Sequence, residues 1–301
     1  MLLTFAFLSE QTVFGKRCDK NPKLKYFSAE DFGLSAEPVF LQKGLKGFIY
    51  RKIDIPQRDK LIIFCHGMGA GHIAYTTEIA YFCNLGYPVL AVDSRGCNFS
   101  NGKSLKGMYS GVETVISAID FAHGQWHNVY LVGHSWGGYS ALCASAKRRV
   151  DGVVAISAPS TPSKTMQDGA APILSRPVAA IMRPFWWTVN FLKYGAKGNS
   201  SAAKSAEKNN TPTLLIHGDC DKVVTKNNGV FFKANGKNIE KFLAEGKAHN
   251  PYNTKNAEKL LAELMHSLNS NNFDKNRFDF KGATEEDEVV MQKIAQFIEN
   301  N

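Results

Sequence analysis

Short, continuously apolar runs recur along the chain at KLIIFCH (60–66), YPVLAVD (87–93), NVYLVGH (128–134), DGVVAIS (151–157) and PTLLIHG (212–218), with IEKFLAEG (239–246) as a further strand-like segment. Runs of this length without polar alternation suit strands covered on both faces, the situation of a parallel sheet. Helical patterns fill the intervals: Ile73 to Leu85, then Val112, Val115, Ile116 and Ile119 at i, i+3, i+4, i+7 spacing, then Tyr139 to Lys147. Strands alternating with helices predict an α/β class with a doubly wound, mostly parallel sheet. Ahead of it, EPVFLQK (37–43) and LKGFIYRKI (45–53), separated by Gly44, predict an antiparallel hairpin.

A chain of 301 residues, 44% hydrophobic and 21% charged, suits one such domain with a modest insertion and a core that needs no disulfides. We read 1–33 as an N-terminal extension, 34–301 as the main domain and 161–210 as an insertion, because compact domains seldom leave so long a connection structureless. In PILSRPVAAIMRPFWWTVNFLKYG, Arg176, Pro177, Arg183 and Pro184 argue against a membrane span and for two short helices. The N-terminal MLLTFAFLSEQ is too short to span and lacks the features of a secretory signal; it is expected to be a packing helix. After residue 249 the pattern predicts a helix around Ala257 to Leu268, a polar loop, and a last helix N-capped by Thr284 with Val290, Ile294, Phe297 and Ile298 on one face.

Several of the six cysteines lie in apolar runs and none forms a C-x-x-C pair, so buried thiols in a reducing, cytoplasmic setting are expected, without zinc or redox chemistry. An anchor preceding residue 1 would make the protein membrane-associated instead. The net charge of +9 comes from scattered lysines and reads as a solvated surface, with weak attraction to anionic membrane surfaces or acidic substrates as the second reading. No nucleic-acid-binding signature accompanies it.

The chemistry-bearing feature is Gly133-His134-Ser135-Trp136-Gly137, which fits G-x-S-x-G between a strand (YLVGH) and a helix (GGYSALCASAK). In such an elbow the glycines permit a tight turn that lifts the serine hydroxyl clear of the sheet. A serine needs a base to take its proton and an acid to orient the base, and with this elbow both follow the serine in the chain. The histidines after Ser135 are His217, His249 and His266. His217 precedes the candidate acids and His266 lies in a helical run, so His249, on a loop after a strand, is the expected base. HGDCDKVV supplies Asp219 and Asp221; Asp221 is the expected acid and Asp219 a turn residue. Backbone N–H donors for an oxyanion are expected at Trp136, which opens the helix, and at Met68 in the loop His66 to Gly71.

CHGMGAGH, VLAVDSRGCNFSNG, VGHSWGGYSAL, LLIHGDCDKVV and GKAH occur in the order of the α/β-hydrolase superfamily, and the chain resembles its esterase and lysophospholipase-type branch over roughly residues 36 to 268. That branch includes serine-aminopeptidase-like and monoacylglycerol-lipase-like hydrolases. Where relatives read D-x-R-G-x-G-x-S-x-G, this chain has Asn98 in place of a glycine; asparagine tolerates the left-handed region, so the loop is expected to survive.

The resemblance implies an α/β-hydrolase fold with a small helical cap at 161–210, a serine hydrolase acting without metal or cofactor, and a small-molecule ester substrate. Phe185, Trp186 and Trp187 are candidates for lining an apolar acyl pocket or for packing the cap. Peptidase, thioesterase or acyltransferase activity stands as an alternative on the same residues, and a non-catalytic receptor or scaffold as another.

Overall fold

The computed structural model describes residues 1–268 and 273–301. In chain order the elements are α1 (Leu2–Phe14), β1 (Ser35–Leu41), β2 (Leu45–Arg51), β3 (Leu61–Cys65), α2 (Thr76–Asn84), β4 (Val89–Val92), α3 (Tyr109–Ala122), β5 (Val129–His134), α4 (Trp136–Ser145) and β6 (Gly152–Ile156). The inserted helices follow as α5 (Pro162–Leu174), α6 (Arg176–Tyr194) and α7 (Ala202–Lys208). The chain then continues through β7 (Thr213–Gly218), α8 (Val230–Lys233), β8 (Ile239–Ala244), α9 (Lys255–Ser267) and α10 (Glu288–Asn300). The strands form one eight-stranded sheet in the order β1-β2-β4-β3-β5-β6-β7-β8. β1 pairs antiparallel with β2, as the Gly44 hairpin predicts, and β2 antiparallel with β4; the remaining pairs are parallel.

The continuous apolarity of the central strands has a direct cause. Leu61, Ile63 and Cys65 of β3 face the layer holding α3, α4 and part of α1, while Ile62 and Phe64 face the layer holding α2 and α10. Neither face of the sheet centre meets water, so neither alternate set of side chains is polar. Val290, Ile294, Phe297 and Ile298 are all buried on the second face, as the periodicity predicts.

Three local expectations are corrected. α10 is capped by Asp287, whose carboxylate accepts from the Val290 amide at 3.2 Å, and not by Thr284. Thr284 ends a 3-10 turn with its hydroxyl donating to the Phe280 and Lys281 carbonyls, and Glu286 then pairs with Asn253 before the helix starts. In the insertion the break between helices lies at Ser175, in a left-handed conformation with φ 71°, so that Pro177 sits in the first turn of α6, where its missing N–H costs nothing. Pro184 is carried inside α6, which makes that helix 19 residues long and not short. No described helix is long and apolar enough to cross a membrane. The polar loop expected after residue 268 falls partly outside the described residues, at 269–272. Asn98 has φ 34°, as its replacement of a glycine in the loop after β4 requires.

The elbow after β5 depends on one close approach. Cys65 of β3 lies in register with Gly133 of β5, and α4 starts directly over that pair. A Cβ on Gly137 would lie 1.9 Å from the Cys65 carbonyl oxygen, and one on Gly133 would lie 2.6 Å from the Gly137 backbone. Both obstacles are main chain and cannot swing aside. Gly137→Ala is therefore expected to destabilise the fold by about 3 kcal/mol. Gly169→Ala is the contrast: it lies inside α5, a Cβ there meets nothing within 4 Å, and it is expected to stabilise by about 0.5–1 kcal/mol. Urea denaturation reads both, and a Gly137→Ala midpoint equal to that of the wild type contradicts the close approach.

Candidate active site

Ser135 is the residue between β5 and α4, with φ 53° and ψ −116°. This is a conformation that L-residues avoid, and it costs about 1–3 kcal/mol. It is held from both sides: the Ser135 amide donates to the Ile156 carbonyl at 2.8 Å, and the Ser135 carbonyl accepts from the Tyr139 amide at 3.0 Å. The turn leaves the hydroxyl on the side of the sheet where the β-strand C-termini open into loops.

Two of those loops meet it. His249, just past β8, places Nε2 3.0 Å from Ser135 Oγ, and its Nδ1 lies 2.9 Å from Asp221 Oδ2. Asp221 follows β7, and its other oxygen accepts from the Val223 and Val224 amides at 2.8 and 2.9 Å. Burial pushes this carboxyl up, but the His249 hydrogen bond and charge, with the two amides, outweigh it and hold Asp221 below the usual carboxylate range. The Asp221 side chain is fully buried and the His249 side chain is one-fifth exposed, so the carboxylate is dry while the imidazole reaches the surface.

The other histidines and acid stand elsewhere. His217 Nε2 points at the Val224 carbonyl at 3.1 Å and lies 3.6 Å from Asp221, and burial lowers its pKa. His266 is exposed on α9. Asp219 accepts from the Gly246 amide at 2.7 Å, a turn contact that ties the β7 loop to the β8 loop.

The Met68 and Trp136 amides donate to no acceptor among the described residues, and they lie on the loop after β3 and at the first residue of α4. The Trp136 side chain turns inward and donates from Nε1 to the Met108 carbonyl at 2.7 Å. Of the cap aromatics, Trp186 is fully buried and borders an apolar cavity, Phe185 packs against the core, and Trp187 is half exposed and stacked on Phe191 with ring centroids 5.4 Å apart.

Motif reading missed the residues that hold these loops in place. The Gly67 amide donates to Tyr75 Oη at 3.0 Å, and the Tyr75 hydroxyl donates to His134 Nδ1 at 2.9 Å. His134 Nε2–H then donates to the His249 carbonyl at 3.0 Å. A single buried chain thus runs from the Gly-rich loop to the backbone of His249. Burial, with His249 alongside, pushes the His134 pKa down to about 3, so the ring stays neutral with one donor and one acceptor nitrogen. The His249 loop is also fixed by Lys247, whose ammonium lies 2.6 Å from Asp287, and by the Ala248 amide donating to Glu258 at 2.8 Å. Apart from His134, none of these partners lies within the five-residue elbow, and only topology brings them near.

A model of the alpha/beta hydrolase fold matches residues 60–178, the stretch from β3 through the elbow into the first turns of α6. Among solved structures, an esterase of Pyrococcus furiosus aligns with a TM-score of 0.60 at 18% identity, covering 84% of this chain and 97% of that one. An esterase/lipase from an uncultured bacterium aligns with a TM-score of 0.55 at 13% identity, covering 99% and 97%. Est1E of Butyrivibrio proteoclasticus, solved with ferulic acid bound, aligns with a TM-score of 0.53 at 18% identity, covering 76% and 97%. A search of curated proteins found no match. With the eight-stranded sheet, its strand order and the elbow after β5, these matches show that the chain has the α/β-hydrolase fold.

Proposed function

We propose that the protein is a serine hydrolase of carboxylic esters with an apolar acyl group, carried on a main domain (34–301) with a helical cap at 161–210. The observation that supports this best is the 3.0 Å contact of Ser135 Oγ with His249 Nε2, in line with the 2.9 Å contact of His249 Nδ1 with Asp221. Esterases among the structural neighbours favour an ester over an amide. Lysophospholipids and monoacylglycerols are the natural esters to try first. Among the described residues every cysteine is free and four are buried, which supports a reducing, cytoplasmic setting.

In this mechanism Ser135 Oγ attacks the ester carbonyl carbon as its proton passes to His249 Nε2. Asp221 fixes the imidazole orientation and balances the imidazolium that forms. The Met68 and Trp136 amides receive the oxyanion. The C–O bond then breaks, the alcohol leaves with the proton from His249, and the acyl group remains on Ser135. Water, deprotonated by His249, attacks the acyl-enzyme; the carboxylic acid leaves and Ser135 regains its proton.

A fluorophosphonate probe is expected to label the folded wild type and not Ser135→Ala; equal labelling of both contradicts the assignment of the nucleophile. Turnover of p-nitrophenyl butyrate is expected to fall at least 10³-fold in His249→Ala and to survive in His266→Ala. A preference for aminoacyl amides over these esters would favour the peptidase alternative.

Tyr75→Phe removes the donor to His134 Nδ1 and the acceptor of the Gly67 amide without removing ring volume. Kcat is expected to fall about tenfold with KM little changed, because substrate contacts stay while the donor loop and the His249 backbone lose their common brace. A Tyr75→Phe enzyme with unaltered kcat contradicts that role.

A further inference from the structure

Helix α1 lies outside residues 60–178, which the alpha/beta hydrolase model matches, yet it is built into the molecule. Ala6, Glu10 and Phe14, four residues apart, form its buried face. Trp186 Nε1 of α6 donates to Ser9 Oγ at 2.9 Å. The buried Glu10 carboxylate pairs with Lys193 of α6, and the Lys193 ammonium also donates to the Lys106 carbonyl at 3.1 Å. The Phe14 carbonyl accepts from the Lys106 amide at 3.0 Å.

A second face of α1, carrying Phe5, Ser9, Thr12 and Val13, borders a cavity of about 350 Å³. The opposite wall is α5, where Gly169 leaves open space in place of a side chain. Trp186 closes one side. Met68, from the loop expected to hold the oxyanion, and Val223, whose amide holds Asp221, also line the cavity and connect it to the loops of the candidate site. The residues lining the cavity include three hydroxyls and no ionisable side chain. Such a cavity accepts hydrocarbon and excludes charge, and its volume lies within the ~300–1,000 Å³ range of small-ligand sites.

We propose that α1 is the specificity-determining wall of the acyl site: the acyl chain of the ester runs from Ser135 past Met68 into the space between α1 and α5. The proposal rests on the serine-esterase reading above. The α1 side chains Phe5, Thr12 and Val13 then set how long and how broad an acyl group fits, and Gly169 sets the depth from the α5 side. The larger cavities bordered by Lys164, Asp168 and Arg176, or by Asp31 and Asp279, are charged and do not suit the same ligand.

The test compares kcat/KM for p-nitrophenyl decanoate with that for p-nitrophenyl acetate. Val13→Trp, which intrudes from α1, and Gly169→Phe, which intrudes from α5, are each expected to lower the decanoate-to-acetate ratio at least tenfold, the scale on which a pocket responds to misfit. Phe5→Ala is expected to shift the optimum toward longer or broader acyl groups. Leu8→Trp, on the exposed side of α1, is expected to leave both the ratio and the basal rate unchanged. A ratio unaltered in Val13→Trp and Gly169→Phe, or altered as much by Leu8→Trp, overturns the proposal.

A binding measurement keeps the two readings separable. In the Ser135→Ala protein, cis-parinaric acid fluorescence is expected to show saturable binding that Val13→Trp abolishes, with thermal unfolding confirming that the variant is folded. Wild type that hydrolyses no ester but binds cis-parinaric acid in an α1-dependent way would overturn the hydrolase reading and keep the cavity's role. Wild type that hydrolyses esters with binding indifferent to Val13→Trp would overturn the role of α1 alone.

Discussion

The contact on which the site depends is the approach of α4 to the end of β3. Gly137 lets the first turn of the helix sit against the Cys65 carbonyl, and Gly133 lets the turn fold back on itself. This closeness forces Ser135 into its φ 53° conformation and at the same time brings the first amide of α4 beside the loop that leaves β3. Hydroxyl and amides are thus set by one backbone arrangement. Any Cβ that widened the contact would move the Ser135 hydroxyl and these amides apart together, so the geometry of the turn and the stability of the fold share a cause at this point.

Around that contact, buried histidines act as struts of fixed tautomer. His66 Nδ1 donates to the Gly67 carbonyl at 2.6 Å and Nε2 accepts from the Ser94 amide at 2.9 Å, tying the loops after β3 and β4. His72 pairs with Asp93 at 2.8 Å and with Tyr50 at 2.9 Å. His134 joins the donor loop to His249. Burial depresses His66 and His134 below the ordinary histidine value, so the folded state binds fewer protons there than the unfolded chain. Their contribution to stability is therefore complete above the unfolded value near ~6.5 and declines as pH falls below it, for His134 until the folded value of about 3. The same neutrality keeps the donor and acceptor assignments of His66 and His134 single at neutral pH, which a brace requires.

What could be read in advance divides along physical lines. The strands were legible because a sheet covered on both faces leaves no polar alternation, and the elbow because its glycines answer a local steric demand. His249 and Asp221 both follow strand ends after Ser135, and the structure places His249 against Ser135 and Asp221 against His249. The cap of α10 was not: Thr284 and Asp287 are both good capping residues, and the choice was made by the pairing of Asn253 with Glu286, which holds the intervening residues extended. Pro184 reads as a breaker because propensity acts one residue at a time, whereas α6 is held by packing along Ala179, Met182, Trp186 and Val189. Tyr75 and Lys247 left no signal, since their partners lie 59 and 40 residues away in the chain.

The composition of α1 follows from the same packing. A helix that is apolar on nearly every side reads from sequence as either buried or membrane-bound. Here one face meets the core through Ala6 and Phe14, and a second faces an uncharged cavity, so apolarity on two sides has a structural cause without a bilayer. The one acidic residue, Glu10, is buried with Lys193, which fixes the rotation of α1 against α6 and with it the set of side chains presented to the cavity. Ser175, left-handed at the break between α5 and α6, sets the angle of the opposite wall. The cavity is therefore a joint product of α1 at the N-terminal end, of α5 and α6 in the insertion, and of Met68 and Val223 from the loops after β3 and β7, while the elbow and its partners belong to the sheet. A division of this kind lets the walls change without disturbing Ser135, His249 or Asp221, because no wall residue of α1 or α5 shares a hydrogen bond with any of the three among the described residues.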